Sequence, residues 1–327
     1  MKLDEKSLRI GAITLFGAVL LRLCIPFLPE DMHMASVLFF LESGRWVQVS
    51  QQQEQEEQEG QSAPQIPVKQ PDAVAVFSPQ QVQTIQYNNP AGYAMDVQDL
   101  LLRELKWDLQ EKSPRVLIVH SHTTESYENN EGYKALPNSR TLDPRYNMLA
   151  VGERLAARLE QAGIGVLHDK TLHDYPSYNG AYASSRASIE AYLQEYPDIC
   201  LVLDLHRDAY EDANGKQLGY TATYDDKQVA QMMLVVSAFD GYTKDPKWHE
   251  NMALALKLQA RLQTACQNVT RPIQVRTSNY NQSLGPRTLL IEMGAAGNTQ
   301  AEAFGATDLL AQSIIDLALG AKPAILS

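Results

Sequence analysis

The sequence predicts an α/β domain built on a largely parallel sheet with helices on both faces, preceded by a membrane anchor and a tether. Three observations predict it. From Arg115 onward, short apolar runs alternate with segments of helical periodicity. The runs are near-continuously apolar (VLIV, ICLVLDL, TLLI) rather than alternating, as strands buried on both faces are. Before Val82 the composition changes abruptly twice, which separates the anchor and the tether from the body.

Ile10–Leu28 is apolar apart from Arg22, long enough at ~1.5 Å per residue to cross a ~30 Å hydrocarbon core. Lys2, Lys6 and Arg9 precede it and Glu30 and Asp31 come after it, which orients the N-terminus inward and the body outward. The apolar run is not succeeded by a small-x-small cleavage site, favouring an uncleaved signal-anchor over a removed signal peptide; a buried helix is the alternative. Residues 1–28 are thus read as cytoplasmic stub and anchor. Residues 29–81 are read as a flexible tether: Gln51–Glu59 contains only Gln and Glu, and Pro64, Pro67, Pro71 and Pro79 punctuate the remainder of the tether.

The body, 82–327, is then laid out in order. Val97–Leu109 reads as an amphipathic helix, Val116–Val119 as a buried strand, Asn147–Ala162 as a helix closed by Gly163, and Ile164–Leu167 as a strand. Tyr182–Tyr196 is a helix stopped by Pro197. Ile199–Leu205, Tyr220–Tyr224 and Met232–Val236 are strands, and Lys247–Cys266 is a long helix. Ile273–Arg276 and Thr288–Ile291 are strands, and Ala306–Leu319 is a closing helix.

Several function classes are excluded. With 28 Lys+Arg against 39 Asp+Glu, the net charge of −11 argues against a nucleic-acid partner. Three scattered cysteines make neither a disulfide framework nor a cysteine zinc module. A mean hydropathy of −0.29 excludes a multi-spanning membrane protein.

Ligands of parallel sheets sit beyond the carboxyl ends of the strands, and three strand exits carry acid–base or metal-ligand types. After VLIV comes His120-Ser121-His122-Thr123-Thr124-Glu125, after ICLVLDL comes His206-Arg207-Asp208, and after TLLI comes Glu292. Two imidazoles and a carboxylate suit Zn²⁺ with one position left for water, and a further carboxylate suits the proton transfers of hydrolysis. Bland readings stand beside these. His120 continues its strand and faces the core or supports a ligand, Asp208 holds His206 in one tautomer, Glu292 pairs with an arginine such as Arg287, and Glu125 solvates a turn. Asp143, before Pro144 and a helix, is a second candidate for the acidic ligand. Ser121 is the one tempting serine nucleophile, though no G-x-S-x-G elbow is present. Tyr210–Lys216 and Phe239–Lys244 are candidate loops over the site.

The segments LIVHSHTTESY (117–127), HDYPSYNGAYASSR (173–186), LDLHRDA (203–209) and NQSLGPRTLLIEMGAAGNT (281–299) together resemble the stage II sporulation protein P family, membrane-anchored cell-wall hydrolases of spore-forming bacteria. The resemblance implies a fold like that of zinc-dependent N-acetylmuramoyl-L-alanine amidases, with peptidoglycan as substrate and endopeptidase action on stem-peptide cross-links as a second activity. It implies work beside stage II sporulation proteins D and M during engulfment, on the extracytoplasmic face of the cell membrane. Carried over residue by residue, it implies His122, Glu125 and His206 as zinc ligands and Glu292 as the catalytic glutamate, the general base. Asp143 stays open as the alternative ligand, and His120, Arg207 and Asp208 serve as support or substrate contacts. A membrane-tethered scaffold with a degenerate site is the alternative function.

Overall fold

A computed structural model of the chain describes residues 83–319, except 110–112, 129–132, 134–137, 241–246 and 286. The predicted anchor and tether lie outside the described residues. Among the described residues, no helix is long and apolar enough to cross a membrane.

Nine strands and five helices succeed one another among the described residues. They are β1 (Tyr87–Asn88), α1 (Val97–Leu102), β2 (Pro114–Val119), α2 (Met148–Gln161), β3 (Gly165–His168), α3 (Ala181–Glu195) and β4 (Leu201–Asp208). Then come β5 (Thr221–Tyr224), β6 (Lys227–Ala230), β7 (Met232–Ser237), α4 (Trp248–Ala265), β8 (Ile273–Arg276), β9 (Thr288–Ala295) and α5 (Gln300–Leu319). Seven strands form one sheet in the order β1-β8-β7-β9-β4-β2-β3, and β5-β6 is a separate hairpin. Strands β3, β2, β4 and β9 are mutually parallel. The β7–β9 pairing is antiparallel, and β8 and β1 run with β7. The expected largely parallel sheet is present, with one reversal in its middle.

Period-2 alternation divides the core between the two faces. Val116, Ile118, Leu201, Leu203, Leu205, Leu289 and Ile291 face the larger cluster, which α2, α4 and α5 cover. Leu117, Val119 and Val202 face the smaller one, covered by Ile189 of α3. Each fully buried Leu, Ile or Val is worth roughly 1.5–3 kcal/mol, so the central strands anchor the edge that carries the site. Helices α2 and α5 are also clamped by the Arg154 guanidinium on buried Asp308, with Nε–Oδ1 at 2.9 Å and Nη2–Oδ2 at 2.8 Å.

Local chemistry sets the boundaries. Asn147 caps α2 by accepting the Leu149 N–H, and Gly163, at φ +85°, ends it in the left-handed region that glycine tolerates. The expected helix 97–109 stops at Leu102. The Leu101 carbonyl, which the next turn would need as acceptor, instead receives the Nζ of buried Lys257. The last helix begins at Gln300, six residues before the expected start. A capping box sets it: Thr299 Oγ1 accepts from Glu302 N at 3.1 Å, and Glu302 Oε2 accepts from Thr299 N at 2.9 Å. Because β7 runs against β9, Phe239 leaves the sheet at the edge opposite the ends of β4 and β9. The expectation that 239–244 overhangs the site is therefore corrected at Phe239; residues 241–244 lie outside the described residues. The segment after β4, including Tyr210, stays at the site edge: Ala296 N donates to Asp208 O, and Leu218 N to Tyr210 O.

Candidate metal centre

The chain leaves β2 in a tight turn that brings Glu125 back over His122, with Glu125 N donating to His122 O at 3.1 Å. His122 Nδ1 lies 3.3 Å from Glu125 Oε1, and His206 Nδ1 lies 3.6 Å from Glu125 Oε2. One donor atom from each of His122, Glu125 and His206 falls within 4.8 Å of the other two, and all three residues are buried. Donors held at ~2.05 Å in a tetrahedral zinc site stand about 3.3 Å apart. The donor chemistry and the spacing of this trio therefore fit such an ion.

Arginines hold the carboxylate of Glu125 in place. Arg207 N donates to Oε2 at 3.1 Å, and Arg140 Nη2 to Oε1 at 3.3 Å. The buried Arg207 guanidinium also donates to the carbonyls of Ser126, Asn138 and Ser139, pinning those residues to β4. Burial opposes the charge on Glu125, but Arg207, His122 and His206 overcome it and hold the carboxyl well below its ordinary range. Burial likewise opposes a charge on His206; the carboxylates of Asp204 and Glu125 overcome it and raise the imidazole well above its usual value.

Glu292 enters from the neighbouring strand. In the parallel β4–β9 ladder His206 is registered with Glu292, so both side chains leave the same face of the sheet. Glu292 Oε2 is buried without a hydrogen-bond partner. Burial, opposed by His206 and reinforced by Glu125 and Asp208, pushes this carboxyl up to about 8.

The other expected residues go elsewhere. His120 is fully buried and turned away: its Nδ1 meets Leu205 O at 3.1 Å and its Nε2 meets His168 Nε2 at 2.9 Å. Asp208 does not hold His206; its Oδ2 accepts from Arg271 Nη1 at 3.1 Å. Asp143 pairs with Arg145 at 2.8 Å and does not join the trio. Arg287 donates to Cys200 O and approaches Glu250, not Glu292. Ser121 is fully buried and its Oγ donates to Asp204 Oδ2 at 2.7 Å, so it is not placed as a nucleophile.

Sequence reasoning missed Asp204, whose Oδ1 lies 2.9 Å from His206 Nε2. The signal was the strand period itself, which puts residues 204 and 206 on one face. It also missed Arg140 and the tyrosines that rim the trio. Tyr178, 55% exposed, stacks on His122 at 4.6 Å, and its ring lies 4.7 Å from the Arg140 guanidinium. Tyr182 lies parallel to His206 at 6.2 Å and edge-on to His122 at 5.3 Å.

Stage II sporulation protein P of Bacillus subtilis (strain 168) is 28% identical over 207 residues, covering 57% of this chain and 47% of that protein. The chain thus spans about half the length of the curated relative it matches. Among solved structures, the N-acetylmuramoyl-L-alanine amidase from Clostridium difficile 630 is 16% identical with a TM-score of 0.40, covering 64% of this chain and 96% of that one. The N-acetylmuramoyl-L-alanine amidase AmiC2 of Nostoc punctiforme is 12% identical with a TM-score of 0.38, covering 63% and 95%. The CwlD amidase from Clostridioides difficile, solved in complex with the GerS lipoprotein, is 13% identical with a TM-score of 0.38, covering 62% and 95%. The family model described as Stage II sporulation protein P matches residues 28–315, most of the sequence, and the chain belongs to that family.

Proposed function

We propose that this chain is a zinc-dependent peptidoglycan hydrolase that cleaves the N-acetylmuramoyl-L-alanine amide, with action on stem-peptide cross-links as a second activity, during engulfment in sporulation. In this reading Ile10–Leu28 anchors it in the cell membrane. The body lies on the extracytoplasmic side, where stage II sporulation proteins D and M are its partners. The observation that carries the reading is the meeting of His122, Glu125 and His206 with the unpartnered carboxyl of Glu292 at one sheet edge. Family membership supports the choice of substrate.

His122, Glu125 and His206 are the residues that would hold the ion. Zinc held there supplies Lewis acidity for the scissile carbonyl and lowers the pKa of water. Glu292 Oε2 is the proton acceptor for the attacking water. The same oxygen would then deliver that proton to the leaving nitrogen. Arg207 and Arg140 fix the Glu125 carboxylate so that its two oxygens stay toward the two imidazoles. Tyr178 and Tyr182 flank His122 and shape the approach of substrate.

The test is to measure zinc in the purified protein and to identify by mass spectrometry the products it releases from peptidoglycan. One zinc per chain and free stem peptides starting at L-alanine are expected. Wall binding with no zinc and no product would make the chain a scaffold instead.

A further inference from the structure

Asp204 is a charged group 2% exposed in the middle of β4. A buried carboxylate is costly unless its lone pairs are matched. Among the described residues no arginine or lysine lies within ion-pair distance of it; its partners are Ser121 and His206. Ser121 grips both oxygens: its backbone N–H donates to Oδ1 at 2.8 Å and its hydroxyl to Oδ2 at 2.7 Å. Behind it stands a line of donors. Asn281 Nδ2 donates to Ser185 Oγ at 3.0 Å, and Ser185 Oγ lies 2.7 Å from Ser121 Oγ. The remaining direction of Oδ1 faces His206 Nε2 at 2.9 Å, and that imidazole turns its other nitrogen, Nδ1, toward Glu125.

We infer that Asp204 is a positioning residue for the metal centre: its carboxylate charge, 2.9 Å from His206 Nε2, favours the tautomer protonated there, leaves the Nδ1 lone pair for the ion, and is itself locked by Ser121. This rests on the metal-site reading above. It also accounts for the serine between two histidines. Val119 is registered with Asp204 across β2 and β4, so the next turn lays Ser121 over the carboxylate. An imidazole whose distal nitrogen is unheld can rotate and change tautomer, and loss of such a partner typically weakens metal binding ~10–100-fold.

Two substitutions separate charge from geometry. Asp204→Asn keeps an oxygen for Ser121 N and His206 Nε2 and lets its amide donate to Ser121 Oγ, so it removes charge with little else. Ser121→Ala leaves the charge and frees the carboxylate to move. Zinc affinity is read by competition with a chromophoric chelator on the purified full-length chain, and Co²⁺ absorption reports the ligand geometry. The expected result is about 10-fold weaker zinc binding for Asp204→Asn, a smaller loss for Ser121→Ala, and altered Co²⁺ bands in both. Wild-type affinity and an unchanged Co²⁺ spectrum in both variants would overturn the inference alone, even if their metal-free melting temperatures fell. Absence of zinc uptake by the wild type would overturn the metal-site reading and this inference with it.

Discussion

His206 and Glu292 stand side by side on adjacent parallel strands, registered as partners and projecting from the same face of the sheet. One faces Glu125 and the other has a carboxyl oxygen with no partner. Two side chains of the proposed site are thus set beside each other by the ladder rather than by loops.

That adjacency gives a clean division of labour. Glu292→Gln is isosteric and leaves His122, Glu125 and His206 intact. Turnover on peptidoglycan should fall ~10²–10⁴-fold while zinc content stays at the wild-type level. Stem-peptide release at the wild-type rate would remove Glu292 from the chemistry.

Gly152 lies on the face of α2 that covers the His120–His168 pair. A Cβ there would stand 2.5 Å from His120 Nε2 and closer still to His168 Nε2. Gly152→Ala should therefore cost about 1–3 kcal/mol, the usual effect of overpacking, despite alanine's better helix propensity. Urea denaturation measures it, and a stabilised variant would contradict the close approach.

Arg207 matters for shape as much as for charge. Arg207→Lys keeps a cation but cannot reach the carbonyls of Ser126, Asn138 and Ser139 together. A loss of about 1–3 kcal/mol is expected from the buried acceptors left unmet. Faster exchange should appear at the amides of Ser126 and Thr141, which bond Ser139 O and Thr124 O, and unchanged exchange there would show that the pin is dispensable.

Lys257, 1% exposed on α4, gives the fold a pH signature. Burial lowers its ammonium to about 8, against ~10.4 in an unfolded chain. Between those values the unfolded chain keeps a proton that the folded one has released, so this residue's contribution to stability improves as pH rises. Below 8 both states are charged and the folded state bears the whole cost, at most about 3 kcal/mol. Relative to Lys257→Met, the wild type should gain roughly 1–3 kcal/mol between pH 7 and pH 10. A pH-independent difference in urea midpoints would exclude the shift.

Much of this was legible in the amino-acid sequence, because burial on both faces writes itself as apolar runs. VLIV, ICLVLDL and TLLI marked β2, β4 and β9, and their exits held the residues that gather at the site. What escaped depended on partners far away in sequence. Nothing near 105 announces that Lys257 will take the Leu101 carbonyl, so periodicity alone draws the first helix too long. The reversal of β7 is invisible in MMLVVS, whose apolar character is the same in either direction. Asp208 is the acid nearest His206 on its C-terminal side, which made it the natural choice to stand behind that imidazole. The strand's alternation instead turns Asp204 to that face, a rule that the sequence alone supplies. The start of α5 was likewise open to reading, since Thr299 and Glu302 spell a capping box.

The reversed half of the sheet has a practical meaning. Strand β7 begins near Glu292 and runs away from it, so whatever is grafted where Phe239 emerges sits at the rear of the molecule. A fluorescent label or an affinity handle placed there leaves the working edge clear. The stretch just after β4 stays beside β9's end instead, tied there by the Ala296 N–H on the Asp208 carbonyl, so a bulky group added to it would sit on the side of the sheet where Glu292 lies.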